Sequence, residues 1–318
     1  MHVVRLDAIE RTRIQPHFAR ASTPSTPLAR AARARANMST SSAVPLTLVT
    51  FDVDGTLIRA SGADANKFHK DAFAHGLLEV YGIDDARGID VVQHHGSTDM
   101  LIVAAVARFH GVPEEVIYER MDECTAAMSR YAVEKKADAA EGLELLVGVR
   151  ALLEKLGARD DVAVCLVTGN LEPIGWAKMQ RLGIDEFFTP PRYGGFGSDH
   201  TDRGELVAIA ENRTKEYLGV RAEKRFHFGD TPADVKAAEF AGATAIGLLT
   251  GIFSKEELVA SSKLDDPIIF DDLSDTAAVV RALGLDSNLG ECLLTGRLAL
   301  VLLERDLLLL ELALLLLE

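Results

Sequence analysis

Most of this 318-residue chain lacks clustered positive charge, and its cysteines show no sign of pairing. The formal net charge is -14 at pH 7, and the part expected to fold contains no Arg/Lys cluster. Nucleic acids and anionic membranes are therefore disfavoured as partners, since both bind proteins through dense positive charge. The three cysteines have no metal-ligand spacing and suggest no disulfide framework, which favours a reducing compartment: Cys124, Cys165 and Cys292.

A long uninterrupted apolar run is also missing. From Leu293 to Glu318, 15 of 26 residues are leucine, but five charged residues interrupt every stretch of the roughly 18–20 apolar residues that a membrane span requires: Arg297, Glu304, Arg305, Asp306 and Glu311. No membrane span is expected. Segment 288–318 is interpreted as a self-associating or membrane-surface helix, a low-complexity extension or a reading-frame error. Its leucines occur in blocks and do not line one face of a helix, which favours the low-complexity extension and the reading-frame error.

The first 37 residues differ in composition from the rest. They contain seven arginines, no lysine and only two acids, Asp7 and Glu10. An arginine-rich, acid-poor start resembles an organelle transit peptide, which predicts a plastid or mitochondrial location. The alternative for segment 1–44 is a disordered extension, with a cytoplasmic form that starts at Met38.

The middle of the chain alternates apolar runs with helical stretches, a pattern typical of a parallel sheet. At 48% hydrophobic and 26% charged residues, the composition supports a sizeable core in one domain with an insertion, or in two domains. The strands are expected at 46–51, 162–167, 225–228, 243–248 and 268–270. The helices are expected at 172–182, 203–217, 233–241, 255–260 and 274–283.

About ninety residues after the first strand, from Gly62 to Leu152, show only helical periodicity, with Phe68, Phe73 and Leu77 on one apolar face. The predicted fold is therefore α/β, with a Rossmann-like parallel-sheet core (45–60 and 153–287) and an all-helical insertion (61–152) after the first core strand.

Two carboxylates follow the first strand. In Phe51-Asp52-Val53-Asp54-Gly55-Thr56, Asp52 and Asp54 lie just past the strand end, where chemistry gathers in open α/β sheets. Two neighbouring acids can divide the work, one as nucleophile and the other as proton donor and acceptor. Gly55 permits a sharp backbone turn at this point.

The second strand ends in Thr168-Gly169-Asn170, directly before a helix. A hydroxyl and free backbone N–H groups at such a turn can bind a phosphoryl group, because helix N-termini favour anions. Phosphoryl transfer also requires a cation near the developing charge. The sequence offers two candidates, Arg203 and Lys178, of which Arg203 is slightly favoured by its place in the chain.

A further acidic motif, Gly229-Asp230-Thr231-Pro232-Ala233-Asp234, follows a later apolar run. Asp230 is expected to face Asp52 across the sheet end, with Asp234 one helical turn further on. Converging carboxylates repel one another unless a cation joins them, and Mg²⁺ is the hard divalent ion that suits oxygen ligands.

These motifs, D-x-D-G-T, T-G-N and G-D-x-x-x-D in this order, resemble those of the haloacid dehalogenase (HAD) superfamily over about 240 residues. The insertion resembles the C1-type cap of phosphoglycolate phosphatase-like members. The resemblance implies a Mg²⁺-dependent phosphatase for a small phosphorylated metabolite. Asp52 would form an aspartyl-phosphate and Asp54 would act as acid and base; Thr168 would hold the phosphate. The metal would lie near Asp52, the backbone of Asp54, Asp230 and Asp234.

The chain departs from the family at one point, because it lacks the Lys-Pro pair of many capped phosphatases and has Arg203 near that place. In the insertion, His94 and His95 are candidates for substrate contact or for solvent-facing loop positions. A dehalogenase is less consistent with the second acid of D-x-D, whereas a sugar phosphomutase and a catalytically silent binding protein of the same fold stay open. The sequence also leaves the substrate and the oligomeric state open.

Overall fold

The computed structural model describes residues 45–286, and a six-stranded parallel sheet forms their centre. The strand order is β5-β4-β1-β6-β7-β8. The strands are β1 Thr47–Phe51, β4 Val162–Thr168, β5 Gly194–Phe196, β6 Lys224–Gly229, β7 Thr244–Leu248 and β8 Ile268–Phe270. β1 lies between β4 and β6, with Thr47 opposite Val162 and Lys224. The residues that end β1, β4 and β6 therefore meet at one edge.

Every residue of β1 and β4 is buried. Because successive side chains point to opposite sides of the sheet, helices must cover both of its faces. One face packs on α5 (Val149–Gly157), α6 (Glu172–Arg181) and α10 (Thr276–Ala282). The other packs on α7 (Arg203–Leu218), α8 (Pro232–Phe240) and α9 (Lys255–Ser261). The two layers of helices confirm the predicted Rossmann-like α/β core.

A second apolar cluster belongs to four helices inserted after β1, within residues 61–142, which we call the helical subdomain. The helices are α1 Lys67–Tyr81, α2 Asp99–Phe109, α3 Glu114–Glu119 and α4 Met121–Glu134. Phe68, Phe73 and Leu77 of α1 are buried here, as their spacing predicts. The same cluster includes Leu171, Ile174 and Ala177 of the α6 region, so the helical subdomain rests on the first turns of a core helix.

The structure differs from the expected helical interval in its last part. β2 (Ile58–Ala60) pairs antiparallel with β3 (Leu143–Leu145), so a short ribbon leads the chain into the helical subdomain and back. α5 begins at Val149, and its apolar side packs in the core cluster. The sequence did not predict β2, β3 and β5, because none of these three-residue strands is a continuous apolar run like that of β8, and each is too short to show a period of two.

Within residues 45–286, no helix combines the length and apolar character that crossing a membrane requires. Cys124 and Cys165 are buried free thiols, and burial raises the pKa of Cys124 to about 12. Cys292, the proposed transit segment and the leucine-rich segment lie outside the described residues, so the expectations about them stay predictions.

Candidate active site

The turn after β1 presents Asp52 and Asp54 at the shared edge of the sheet. The Asp52 backbone N–H donates to the Phe228 carbonyl oxygen at 2.9 Å, which ties this turn to the end of β6. Gly55 has φ 89°, and a Cβ there would lie 2.3 Å from Oδ2 of Asp230. Glycine therefore supplies both the left-handed backbone and the space that Asp230 occupies.

The turn after β4 faces the same place. Thr168 is fully buried, and its Oγ1 accepts a 3.3 Å hydrogen bond from the Asn170 backbone N–H. The Asn170 side chain points across to the β1 turn, where Nδ2 donates to Oδ2 of Asp54 at 2.9 Å. Gly169 lies under the helical subdomain, since a Cβ there would approach the Ser97 carbonyl oxygen to 2.5 Å.

The turn after β6 leads into α8 through a capping box. Thr231 Oγ1 accepts from the Asp234 backbone N–H at 3.2 Å, and Asp234 Oδ2 accepts from the Thr231 backbone N–H at 3.1 Å. This reciprocal pair fixes the Asp234 side chain at the helix start. Asp230, one residue before the cap, accepts a 3.3 Å hydrogen bond from Thr56 Oγ1 at its Oδ1.

Three buried carboxylates converge between these turns. Oxygens of Asp52, Asp230 and Asp234 all lie within 4.8 Å of one another. Burial and the charges of the other two acids raise the pKa of Asp230 to about 8, so the cluster holds more negative charge than its surroundings neutralise. Burial also raises the pKa of Asp52 to about 6, although Arg203 opposes the shift. An all-oxygen, acidic, buried site of this kind fits a hard divalent cation.

Asp234 behaves differently from its two neighbours. Burial raises its pKa, but the charge of Arg203, the nearby His227 and the hydrogen bonds from Thr231 lower it well below the ordinary range. Its Oδ1 accepts from Arg203 and lies 3.5 Å from Nε2 of His227. Because both Asp234 oxygens already have donors, Asp52 and Asp230 are the better placed direct metal ligands.

Arg203, at the start of α7, contacts the nucleophile candidate. Asp202 caps this helix through a 2.8 Å bond from the Gly204 backbone N–H, which sends the Arg203 side chain toward the sheet edge. Arg203 Nη1 donates to Oδ1 of Asp52 at 3.0 Å and to Asp234. Its Nε is buried and has no hydrogen-bond partner among residues 45–286. Arg203 thus retains an unused donor beside Asp52.

Lys178 contacts the other acid of the D-x-D pair. Its side chain is fully buried, whereas that of Asp54 is 38% exposed. Lys178 Nζ lies 2.9 and 2.8 Å from the two carboxylate oxygens of Asp54, 2.8 Å from Oδ1 of Asn170 and 3.3 Å from Nδ1 of His69. Burial raises the pKa of Asp54, but the Lys178 charge and the bonds from Lys178 and Asn170 bring it below its ordinary value.

The two alternative cations of the sequence analysis are therefore both at the site. Arg203 contacts Asp52, and Lys178 contacts Asp54. Asp54 is a candidate metal ligand only through its backbone, because its carboxylate is turned to Lys178 and lies outside the three-carboxylate cluster.

The histidine pair of the helical subdomain lies at the rim. The rings of His94 and His95 stack with centroids 4.9 Å apart, and His95 is exposed. Their loop crosses the core turns, since the Asp99 backbone N–H donates to the Gly169 carbonyl oxygen at 2.8 Å. Within the described chain neither histidine forms a hydrogen bond to Asp52 or Asp54, so their contact with a substrate stays a prediction.

Sequence reasoning missed His69 and Asp99, which are buried between the helical subdomain and the core. His69 Nε2 lies 3.0 Å from Oδ2 of Asp99, and Nδ1 faces Lys178. The available signal was a polar residue next to Phe68 on the apolar stripe of α1. A polar group at a buried helix position requires a partner, which makes such a position worth marking.

Comparison with known proteins agrees with this geometry. The model of the haloacid dehalogenase-like hydrolases matches residues 49–239, and a HAD-hydrolase-like model matches residues 204–276. Phosphoglycolate phosphatase of Photorhabdus laumondii is 23% identical over 67% of this chain and 85% of its own length. Phosphoglycolate phosphatase of Rhodospirillum rubrum is 25% identical over 71% of this chain and 87% of its own length.

A crystal structure from Clostridium acetobutylicum, described as a predicted phosphatase, shares the fold. It superposes with a TM-score of 0.52 at 16% identity, covering 76% of this chain and all of that one. The family model spans more than half of the chain and includes all three sheet-edge turns. The chain belongs to the haloacid dehalogenase-like hydrolase family.

Proposed function

We propose that this protein is a Mg²⁺-dependent phosphatase that hydrolyses a small phosphate monoester, of the phosphoglycolate or sugar phosphate kind, through an aspartyl-phosphate on Asp52. The observation that carries the proposal is the pairing of each D-x-D acid with its own cation beside a three-carboxylate cluster. The names of the two curated relatives support the phosphatase reaction and the small substrate.

Arg203 is the cation that faces the phosphoryl group. Lys178 has three N–H donors, and all are used by Asp54, Asn170 and His69. Arg203 touches the nucleophile and keeps an unpaired Nε, which suits the charge that develops on the phosphoryl oxygens.

Asp52 attacks phosphorus, and the ester bond to the leaving alcohol breaks. Asp54 gives a proton to that alcohol, and the resulting carboxylate then takes a proton from the water that hydrolyses the aspartyl-phosphate. The Lys178 contact keeps Asp54 ionised in the free protein, the form that the second step needs. An arriving anionic ester raises the proton affinity of Asp54, which prepares the first step.

Asp52, Asp230 and the backbone carbonyl of Asp54 would hold the metal, with Asp234 in support through Arg203 and Thr231. When bound, Mg²⁺ supplies charge neutralisation at the phosphate and at the clustered acids. The raised pKa of Asp230 supports this assignment, because a divalent cation relieves the repulsion that raises it.

The helical subdomain covers the site and selects the substrate. Its loop before α2 lies on Gly169, so a bound ester would be enclosed between this loop and the core turns. Enclosure excludes bulk water and leaves side chains of the helical subdomain, with His94 and His95 as candidates, to contact the rest of the substrate.

The decisive experiment is phosphate release by the full-length protein from a panel of small phosphate esters, with Mg²⁺ and with EDTA. Asp52→Asn is the inactive control, and Asp271→Asn, at an exposed position after β8, is the matched surface control. Metal-dependent release that only Asp52→Asn abolishes is expected. An isomerised sugar phosphate would indicate a phosphomutase, and no turnover with any ester would leave a catalytically silent binding protein.

A further inference from the structure

His69 joins the helical subdomain to the acid–base pair of the core. It lies on α1 with 5% of its surface exposed, between Asp99 of α2 and Lys178 of α6. The imidazole also stacks on Phe73, with ring centroids 4.9 Å apart, which fixes its plane. A rigid, buried imidazole with a charged group at each nitrogen can hold both groups in position.

The partners of His69 define its tautomer. The Lys178 ammonium can only donate, so Nδ1, 3.3 Å away, carries the lone pair. Nε2 then carries the proton and donates to Oδ2 of Asp99 at 3.0 Å. His69 therefore links Asp99 to Lys178 and can fix the direction of the lysine ammonium.

Asp99 is itself held on the core. Its Oδ2 also accepts from the Leu171 backbone N–H at 2.8 Å, and its own backbone N–H donates to the Gly169 carbonyl oxygen at 2.8 Å. Asp99 therefore anchors the start of α2 to the turn after β4. These bonds form only while the helical subdomain is seated on the core.

We propose that His69, backed by Asp99, is a positioning residue that holds Lys178 against Asp54 and so ties the acid–base step to seating of the helical subdomain. The chain of contacts runs from Asp99 through His69 and Lys178 to Asp54 and crosses the boundary between the two parts. The proposal rests on the phosphatase function proposed above. Without His69 the Lys178 ammonium loses its third acceptor, and its direction toward Asp54 is no longer fixed.

Two substitutions separate the contacts of His69. His69→Asn places an amide where Nδ1 lies, so it can accept from Lys178 but cannot reach Asp99. His69→Gln places an amide where Nε2 lies, so it keeps the Asp99 contact and loses Lys178. Both remove the stacked ring, which matches them for the loss of packing on Phe73. His75→Gln, at an exposed position on the same helix, is the control.

The assay uses two leaving groups in the full-length protein. An alkyl phosphate needs a proton on its leaving alcohol, whereas p-nitrophenyl phosphate releases a stable anion without one. For His69→Gln, we expect kcat with the best alkyl ester to fall by about tenfold or more, part of the 10²–10⁴ that acid–base catalysis contributes. His69→Asn should lose less, because the contact to Lys178 is retained.

With p-nitrophenyl phosphate, a rapid-quench experiment should show a burst of nitrophenolate in His69→Gln, followed by slow turnover. The burst reports attack by Asp52, which needs no acid, and the slow phase reports hydrolysis of the aspartyl-phosphate, which needs Asp54 as base. Asp99→Ala keeps the imidazole and its contact to Lys178 but removes the anchor at Nε2. It should show the same burst, with a slow phase less impaired than that of His69→Gln, and it provides a second test if the His69 variants fold poorly.

Equal decreases in the rates of the burst and of the slow phase would assign His69 a packing role and overturn the positioning role. A His69→Asn variant that is no faster than His69→Gln would do the same. Wild-type kinetics in both His69→Gln and Asp99→Ala would overturn it as well. A wild-type protein that hydrolyses no ester would instead contradict the proposed phosphatase function, so the two failures are distinguishable.

Discussion

Lys178 Nζ lies 2.8 Å from Oδ2 of Asp54, and the lysine side chain is fully buried while the aspartate is 38% exposed. In this pair Lys178 is therefore buried, whereas Asp54 faces the site. Removal of a buried charge partner has large effects, because the remaining charge loses its compensation without regaining full hydration.

Lys178→Met should lower kcat by about 10²-fold and move the acidic limb of the pH–rate profile to higher pH. Burial raises the pKa of Asp54, and the variant loses the charge that outweighs this effect, so ionisation of Asp54 requires more alkaline solution. Profiles of kcat, which include the hydrolysis step in which Asp54 acts as base, measure the shift. Arg181→Met, an exposed change on the same helix, should leave the profile in place. An unmoved acidic limb in Lys178→Met would contradict the role of this lysine.

Arg203 should matter most in the metal-free protein. It is the cation between Asp52 and Asp234, and its loss leaves two buried carboxylates facing each other. In EDTA, Arg203→Met should be destabilised by about 3–5 kcal/mol, the usual range for breaking a buried pair from one side. Because a divalent cation can replace part of the lost charge, Mg²⁺ should raise the melting temperature of Arg203→Met more than that of the wild type.

Arg203→Lys separates charge from shape. It retains the positive charge and should recover part of the stability in EDTA, but it lacks the planar guanidinium whose Nη1 contacts both carboxylates. Lys215→Met, exposed on the same helix, is the surface control. A melting temperature of Arg203→Met equal to that of the control in EDTA would show that the arginine does not compensate the acids.

Stability of the metal-free protein should fall as pH rises from about 5 to 8. The pKa of Asp230 is raised to about 8 and that of Asp52 to about 6, so the folded state binds more protons than the unfolded state in this window. Asp54 and Asp234 have lowered pKa values and lose stabilisation only in more acidic solution, below their ordinary range. Thermal melts in EDTA across this window measure the slope.

Mg²⁺ should flatten that slope, because the bound cation stabilises the ionised carboxylates and takes the place of the proton. Asp230→Asn should remove most of the slope in EDTA and most of the stabilisation by Mg²⁺. A slope that is the same in Asp230→Asn and the wild type would assign the pH dependence to other groups.

The sequence predicted that Asp52, Thr168 and Asp230 meet at one sheet edge because its signals are local. Asp52, Thr168 and Asp230 each follow an apolar run and precede a turn, and strands of a parallel sheet bring such turns together. The missed strands β2, β3 and β5 have three residues each, too few for a periodic pattern, and they lack the continuous apolar run that marks the equally short β8. Gly194 and Gly195 of β5 pack against the backbone of neighbouring elements, a contact that composition does not reveal.

The role of Lys178 was harder to predict because its contacts are distant along the chain. It contacts Asp54, 124 residues away in the core, and His69, 109 residues away in the helical subdomain. On α6 alone, a lysine is as consistent with a solvated face as with a buried one. Only the packing of the helical subdomain on Ile174 and Ala177 decides between them.

Gly55 and Gly62 form a matched pair for testing how closely the D-x-D-G-T turn is fitted to Asp230. Both have positive φ, 89° and 75°, so alanine brings a similar backbone strain of about 1–2 kcal/mol at each. A Cβ at Gly62 meets nothing within 4 Å, whereas a Cβ at Gly55 would lie 2.3 Å from Oδ2 of Asp230. Gly55→Ala must therefore displace the Asp230 carboxylate as well.

Gly62→Ala should fold with a small loss of stability and near-normal kcat. Gly55→Ala should lose most activity and require a higher Mg²⁺ concentration for half-maximal rate, because the displaced carboxylate is a proposed metal ligand. Mg²⁺ titrations of the rate in both variants provide the measurement. Equal Mg²⁺ requirements would mean that the turn accommodates a side chain beside Asp230, and the close fit between Gly55 and that carboxylate would then have no part in metal binding.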